Sequence, residues 1–328
     1  MTFRLRSIAL ALSATLLIPV PAHARKHDTT VELVNFDGWT NAYSISNGIV
    51  DVVVVPSIGR IMSYHFTGHP ETSPIWVNPD EMGKPAGDSW VNFGGDKVWP
   101  APQGEWGKHT GQGRNWPPDP AIDPGSFTIS RIDDGVRLTG TPSKAFAISI
   151  NREIVLKPGQ SQVSVTDSFV RSADAAGGAD ALPLGIWNVT QTKGDEMADL
   201  PFDPKSTAVV GGFVAIEEGT PNPTFRGTNW TIGEHDLFVN ANGLKRGNKV
   251  GVDDTAGVVT EKNSHNIVFS EKFDYVPGGP YLDNGTDAQV YANDNPAYIE
   301  IEAHSTGKSL KPGESMSRTI IWDLHRSG

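Results

Sequence analysis

The residues best equipped for chemistry lie in two places far apart in the chain. Between Asp88 and Pro124 the sequence sets Trp90, Trp99, Trp106 and Trp116 among Gly, Pro, Asp, Lys, Glu, Gln, His and Arg, without strand-like alternation. Indole faces beside amide, carboxylate and guanidinium groups suit a sugar, whose apolar C–H faces stack while its hydroxyls find polar partners. The same tryptophans would equally serve to plug one end of a β-sandwich, the ordinary fate of buried indoles. An irregular stretch of this length inside a compact domain is usually functional or disordered, and its tryptophan content argues against disorder.

The second place is Tyr298-Ile299-Glu300-Ile301-Glu302. Alternation with period 2 puts Tyr298, Glu300 and Glu302 on one face of a strand and the two isoleucines on the other. Neighbouring carboxylates raise each other's pKa when desolvated, which would fit one of them to act as a base near neutral pH. A binding face and an ordinary solvent face would show the same pattern.

These residues need a β framework to hold them. Val31–Phe36, Ile49–Val55, Arg60–Phe66, Phe127–Ile132, Val136–Gly140, Phe146–Leu156, Gln162–Phe169, Thr207–Ile216, Asn266–Phe273 and Thr319–Leu324 read as short strands bounded by turn residues. No segment of comparable length has a helical period. Asp133-Asp134-Gly135 reads as a hairpin turn with Gly135 taking positive φ. Lys157-Pro158-Gly159-Gln160 and Lys311-Pro312-Gly313-Glu314 carry the Pro-Gly chemistry of type II turns. With 35 Gly and 24 Pro punctuating many strands, the expected architecture is all-β, a single large antiparallel sandwich spanning residues 25–328. Ser172 to Ala181 reads as a surface loop within it.

The N-terminus carries Arg4 and Arg6, an apolar run from Ile8 to Val20, and Ala22-His23-Ala24, the pattern of an export signal cleaved after Ala24. A periplasmic or secreted location is therefore expected. No later segment is long and apolar enough for a membrane helix, so no membrane insertion is expected. The formal charge of −11, lowered by two more once Arg4 and Arg6 are removed, opposes nucleic-acid binding. There is no cysteine, which suits a domain large enough to be held by its core. No Walker loop, dinucleotide fingerprint, HExxH or GxSxG occurs, and no cofactor is expected. Asp283-Asn284-Gly285-Thr286-Asp287 lacks EF-hand spacing and reads as an acidic turn, so no metal is expected either.

The run Asn92-Phe93-Gly94-Gly95-Asp96-Lys97-Val98-Trp99-Pro100-Ala101-Pro102-Gln103, with Pro56-Ser57-Ile58-Gly59-Arg60-Ile61 and Trp76-Val77-Asn78-Pro79 before it, resembles an uncharacterised bacterial family of the galactose-mutarotase-like superfamily. Tyr298 to Glu302, Leu310 to Ser315 and Trp322 resemble that family's closing strands, so the likeness covers most of the chain. It implies a β-supersandwich whose concave face holds a carbohydrate. In the superfamily's epimerases a glutamate acts as base on the anomeric hydroxyl and a histidine as acid at the ring oxygen. Gly94-Gly95 through Trp99-Pro100 is similar to a loop that borders the sugar in hexose-phosphate mutarotases. Where the superfamily suggests the histidine, this sequence reads Leu184-Gly185-Ile186-Trp187-Asn188-Val189-Thr190-Gln191, with none. His109 and His65 are the substitutes in view, and the departure favours sugar binding or a different acid–base reaction over ordinary aldose epimerisation.

Together these readings nominate a carbohydrate-active protein whose partner is a mono-, oligo- or polysaccharide. Trp99, Trp106 and Trp187 would stack the sugar, while Arg60, Asp96, Lys97, Gln103 and Asn188 fix its hydroxyls. Glu300 or Glu302 would act as base and His109 as acid. A noncatalytic glycan-binding module of the cell envelope is the alternative.

Overall fold

The computed structural model describes residues 29–327, apart from 88, 112, 176–180, 195–196, 218–219, 243 and 264. The expected export signal, residues 1–24, lies outside the described residues, as does half of the loop expected at Ser172 to Ala181.

Five strands open the described chain: β1 (Thr30–Phe36), β2 (Trp39–Ser46), β3 (Val50–Val55), β4 (Arg60–Phe66) and β5 (Asp96–Ala101). A short helix, α1 (Trp106–Thr110), precedes the meander β6 (Phe127–Ile132), β7 (Gly135–Gly140), β8 (Ile148–Leu156) and β9 (Val163–Arg171). Then follow β10 (Gly185–Lys193), β11 (Met197–Pro201), β12 (Phe213–Glu217), β13 (Thr220–Asn222), β14 (Trp230–Ile232) and β15 (Asp236–Asn240). The chain closes with β16 (Asn248–Val252), β17 (Val258–Lys262), β18 (Ile267–Phe273), β19 (Ala288–Asp294), β20 (Ala297–His304) and β21 (Ser315–Arg326).

These strands form two antiparallel sheets. The first has the order β1-β2-β3-β4-β5-β10-β20-β19-β16-β12-β13, the second β14-β15-β11-β17-β18-β21-β9-β8-β7-β6. The alternation that makes a sandwich is plain in β8, where Ile148, Ile150, Arg152, Ile154 and Leu156 are buried and the residues between them half-buried. Between the sheets, Tyr64 of β4 meets Phe269 of β18 and Trp322 of β21 at centroid distances of 6.0 and 5.7 Å, an aromatic bridge across the core. Strand β10 is different: from Gly185 to Thr192 it is buried on both faces, so something covers its outer side as well.

Several expectations need correction in detail. The stretch from Asp88 to Pro124 is not wholly irregular, since β5 and α1 lie inside it. Pro100 disguises β5 as a loop, because proline removes a ladder donor. It is tolerated because β4 pairs with β5 only at Ile61↔Asp96, leaving the rest of that edge free of a ladder, while β10 pairs along Asp96 to Ala101 on the other side. The strand expected at Thr207–Ile216 starts only at Phe213, and the one expected from Phe146 starts at Ile148. In the β6–β7 hairpin it is Asp134, not Gly135, that adopts positive φ, at 55°. Gly135 is required for space, since a Cβ there would come within 1.9 Å of the Ile154 carbonyl oxygen. Gly159 and Gly313 do take positive φ, as the Pro-Gly turns require.

Candidate functional site

The cover over β10 is the segment that follows β5. Gly94 and Gly95 launch β5 with φ of 84° and 77°, and a Cβ on either would strike backbone, the Trp76 oxygen at 2.3 Å and the Ile61 oxygen at 2.6 Å. Only glycine permits this approach. Beyond β5 the chain folds back over the outer face of the first sheet, leaving a cleft of about 580 Å³. One wall is aromatic, built from Trp90, Trp99, Trp116 and Trp187, and the floor comes from β20, β19 and β16 through Tyr298, Glu300, Glu302, Tyr291, Asn248 and Lys249.

Side-chain parity decides which residues reach this cleft. On β5 and β10, Lys97, Trp99, Trp187 and Gln191 point outward, where Lys97 Nζ lies 3.1 Å and Gln191 Nε2 2.9 Å from Glu300 Oε1. Their neighbours Asp96, Asn188 and Thr190 point inward between the sheets. There Arg152 donates to both Asp96 and Asp167, Asn188 donates to Asp167, and the Thr190 hydroxyl is hydrogen-bonded to both Asp96 and Glu271.

The tryptophans are held by one carboxylate. Asp123 Oδ2 accepts from the indole nitrogens of Trp90 at 2.9 Å and Trp99 at 3.0 Å, and its Oδ1 accepts from Arg60 Nη2 at 2.6 Å. Trp187 Nε1 donates to Glu302 Oε2 at 2.8 Å. Edge-to-face contacts at 5.1 Å between Trp99 and Trp187 and 4.6 Å between Trp90 and Trp116 join the wall into one cluster.

The two glutamates sit in unlike surroundings. Glu302 is buried, with Lys249 Nζ at 2.7 Å from its Oε2, while its Oε1 has no hydrogen-bond partner. Burial pushes its carboxyl up to about 7, helped by the neighbouring Glu300 and opposed by Lys249. Glu300 keeps 15% of its side chain exposed and pairs with Lys97. Burial pulls the Lys97 ammonium down despite Glu300. For Lys249, burial acts in the same direction but Glu302 and Asp283 outweigh it, so its pKa is raised. His304, two residues beyond Glu302, stacks on Trp187 at 5.4 Å with both ring nitrogens unpartnered, and Nε2 lies 3.9 Å from Glu302 Oε2. Burial, reinforced by Lys249 and Arg318, holds its imidazole well below the usual range.

No protein-family model and no curated protein matches the chain. Solved structures do. A galactose mutarotase-like protein from Lactobacillus casei superposes with a TM-score of 0.59 at 11% identity, covering 87% of this chain and 100% of its own. A galactose mutarotase-like protein from Clostridium acetobutylicum gives 0.57 at 12% identity over 92% of this chain and 99% of its own. An aldose epimerase homologue from C. elegans gives 0.54 at 10% identity over 86% and 97%. The fold is galactose-mutarotase-like.

Within this mutarotase-like sandwich the nominated residues separate cleanly. Trp99, Gln103, Trp187, Glu300 and Glu302 line one cleft, so the Trp-rich segment and the glutamate strand do meet. Lys97 stands just behind, bonded to Glu300 and with its ammonium 4.8 Å from the Trp99 ring centroid. The others do not reach the cleft. Asp96 and Asn188 have the wrong parity and belong to the inter-sheet network. Arg60 is fully buried against Asp123 and the Gly94 carbonyl, positioning the indoles instead of meeting a ligand. Trp106 is buried beneath the wall, its indole donating to the Pro100 carbonyl, so here the plug reading holds. His109 stacks on Phe146 at 4.7 Å below Trp106, and His65 is bound to Ser63, so neither stands in the cleft.

Sequence reasoning missed Lys249, His304, Asp123, Trp90 and Trp116 as site-forming residues. Trp90 and Trp116 were visible within the tryptophan-rich stretch, and His304 continues the parity of Glu300 and Glu302. Lys249 and Asp123 carried no local signal, because only the sheet order brings them in. Among the described residues no group of His, Asp and Glu is arranged to hold a metal ion.

Proposed function

We propose that this chain is an exported carbohydrate-active protein that binds a sugar in the tryptophan-walled cleft and moves protons at its anomeric centre. The observation that carries this reading is the placement of Glu300 and Glu302 on the cleft floor beneath Trp99 and Trp187, with Glu302 poised at about 7. A group with that pKa both gives and takes a proton near neutral pH. Glu300, the partner of the Lys97 ammonium, removes the proton of the anomeric hydroxyl as the bond from C1 to the ring oxygen opens. Glu302, in its protonated form, delivers a proton to the ring oxygen. The product is the open-chain aldehyde, and reclosure on its other face returns both protons. The acid role assigned to His109 in the sequence passes to Glu302, because His109 lies outside the cleft.

The export signal in the sequence supports an envelope location, where free or polymeric sugars are the available ligands. A second reading, a noncatalytic glycan-binding module, is favoured by one observation: among the described residues no histidine lines the cleft. Saturation-transfer NMR of α/β interconversion across a panel of aldoses tests the catalytic reading. Enzyme-dependent exchange above the buffer rate is expected. Sugar binding without any acceleration would establish the module instead, and no binding of any saccharide would overturn both.

A further inference from the structure

Trp90 belongs to two cavities. Besides the cleft it lines a second space of about 620 Å³, whose walls include Pro117, Pro118, Pro120, Pro124 and Pro142. The boundary between the two is thin: Trp116 lines the cleft and the next residue, Pro117, lines the second cavity. Trp90 and Trp116 touch edge to face at 4.6 Å, and Trp116 is 43% exposed. An exposed indole at the junction of two cavities is apolar surface that folding left uncovered.

The second cavity has the properties of a preformed subsite. Proline walls have fixed φ and lose little freedom when a ligand arrives, and they offer ring C–H faces and carbonyl acceptors without competing amide donors. Lys144, exposed at its edge, adds a donor. Asp123 ties Trp90 in place from within. Ligand pockets for a single small molecule span about 300–1,000 Å³. The cleft alone meets that range, and the adjoining cavity adds as much again.

We propose that the ligand is an oligosaccharide, with its terminal unit over Glu300 and Glu302 and the following units crossing the Trp90–Trp116 junction into the proline-walled cavity. This rests on the sugar reading of the cleft. Isothermal titration of the full chain against gluco-, galacto-, manno- and xylo-oligosaccharides of one to six units tests it. The tetrasaccharide of the preferred series should bind about tenfold tighter than its monosaccharide, the gain that one further aromatic contact supports. Ala145→Trp, which fills the second cavity, should erase that gain while leaving monosaccharide affinity unchanged. Pro142→Trp, at an exposed rim position, repeats the block should the half-buried substitution fail to fold. Monosaccharide binding with no dependence on length, or a gain that survives both blocks, overturns this inference and leaves the cleft reading intact. No binding at any length removes the cleft reading itself.

Discussion

On the inner face of the first sheet, Arg152 donates from all three guanidinium nitrogens, and the four carboxylate oxygens of Asp96 and Asp167 each accept a hydrogen bond from Arg152, Thr190 or Asn188. On the outer face, Lys97 and Lys249 each hold one glutamate and leave Glu302 Oε1 with no partner beside an open cleft. The two sets meet on β5, where the adjacent Asp96 and Lys97 point to opposite faces. The difference lies in the carboxylates that pair with cations. Asp96 and Asp167 are bonded at every oxygen, although Glu271 Oε2 and Asn188 Oδ1 beside them have no partner, whereas Glu302 is not. A closed ion network serves to fix one sheet against the other, whereas an open one keeps bonding capacity for something that arrives later.

The strongest way to break this contrast is Arg152→Met. It leaves Asp96 and Asp167 buried without their cation and should cost about 3–5 kcal/mol of stability by urea denaturation. A loss confined to sugar affinity would mean that the inner network is not structural. Glu302→Gln probes the outer face in the opposite sense. Sugar affinity should hold while any anomeric interconversion falls about 10²–10⁴-fold, the usual worth of a positioned acid–base group. The melting temperature should drop because Lys249 loses its carboxylate. Asp123→Asn stands between the two, because Asp123 is buried yet serves the cleft wall. Weakening the acceptor of Arg60, Trp90 and Trp99 should cost about 1–3 kcal/mol and also weaken sugar binding, read by indole fluorescence and titration.

A further expected effect is one of pH. Burial pushes Glu271, the inner-face partner of Thr190, up to about 8. A carboxyl whose pKa rises on folding holds its proton more tightly in the folded chain. Its contribution is complete below the unfolded value of about 4 and is lost as pH climbs through about 8. Asp287 at about 8 and Asp254 at about 7, both raised chiefly by burial, act in the same direction. The melting temperature should therefore fall from about pH 5 to about pH 9, and Glu271→Gln should flatten that slope. A slope unchanged by the substitution would show that Glu271 titrates alike in both states.

The contrast also explains what could be read in the sequence. Period 2 was enough to place Glu300 and Glu302 on one face, and Gly94-Gly95 with the tryptophans marked the loop beside them. The same rule, applied to β5 and β10, would have separated Asp96 from Lys97 and Asn188 from Trp187. It was not available for β5, because Pro100 hides that strand from propensity. Lys249 and Asp123 were beyond reach for another reason. Lys249 meets Glu302 only because β16 lies two strands from β20, and Asp123 meets Arg60 across 63 residues of chain. Such pairings are properties of topology, which no local pattern encodes.

One consequence of the wall's construction concerns selectivity. Each indole carries a single donor, and those of Trp90 and Trp99 are committed to Asp123, that of Trp187 to Glu302 and that of Trp106 to Pro100. The three of these rings that line the cleft therefore offer an incoming sugar shape and C–H contact but no hydrogen. They sense which face of the ring is free of axial hydroxyls, while naming individual hydroxyls falls to the floor. Stereochemical choice is thus divided between two surfaces, so a change of sugar preference can be sought on β16 and β20 without disturbing the aromatic wall.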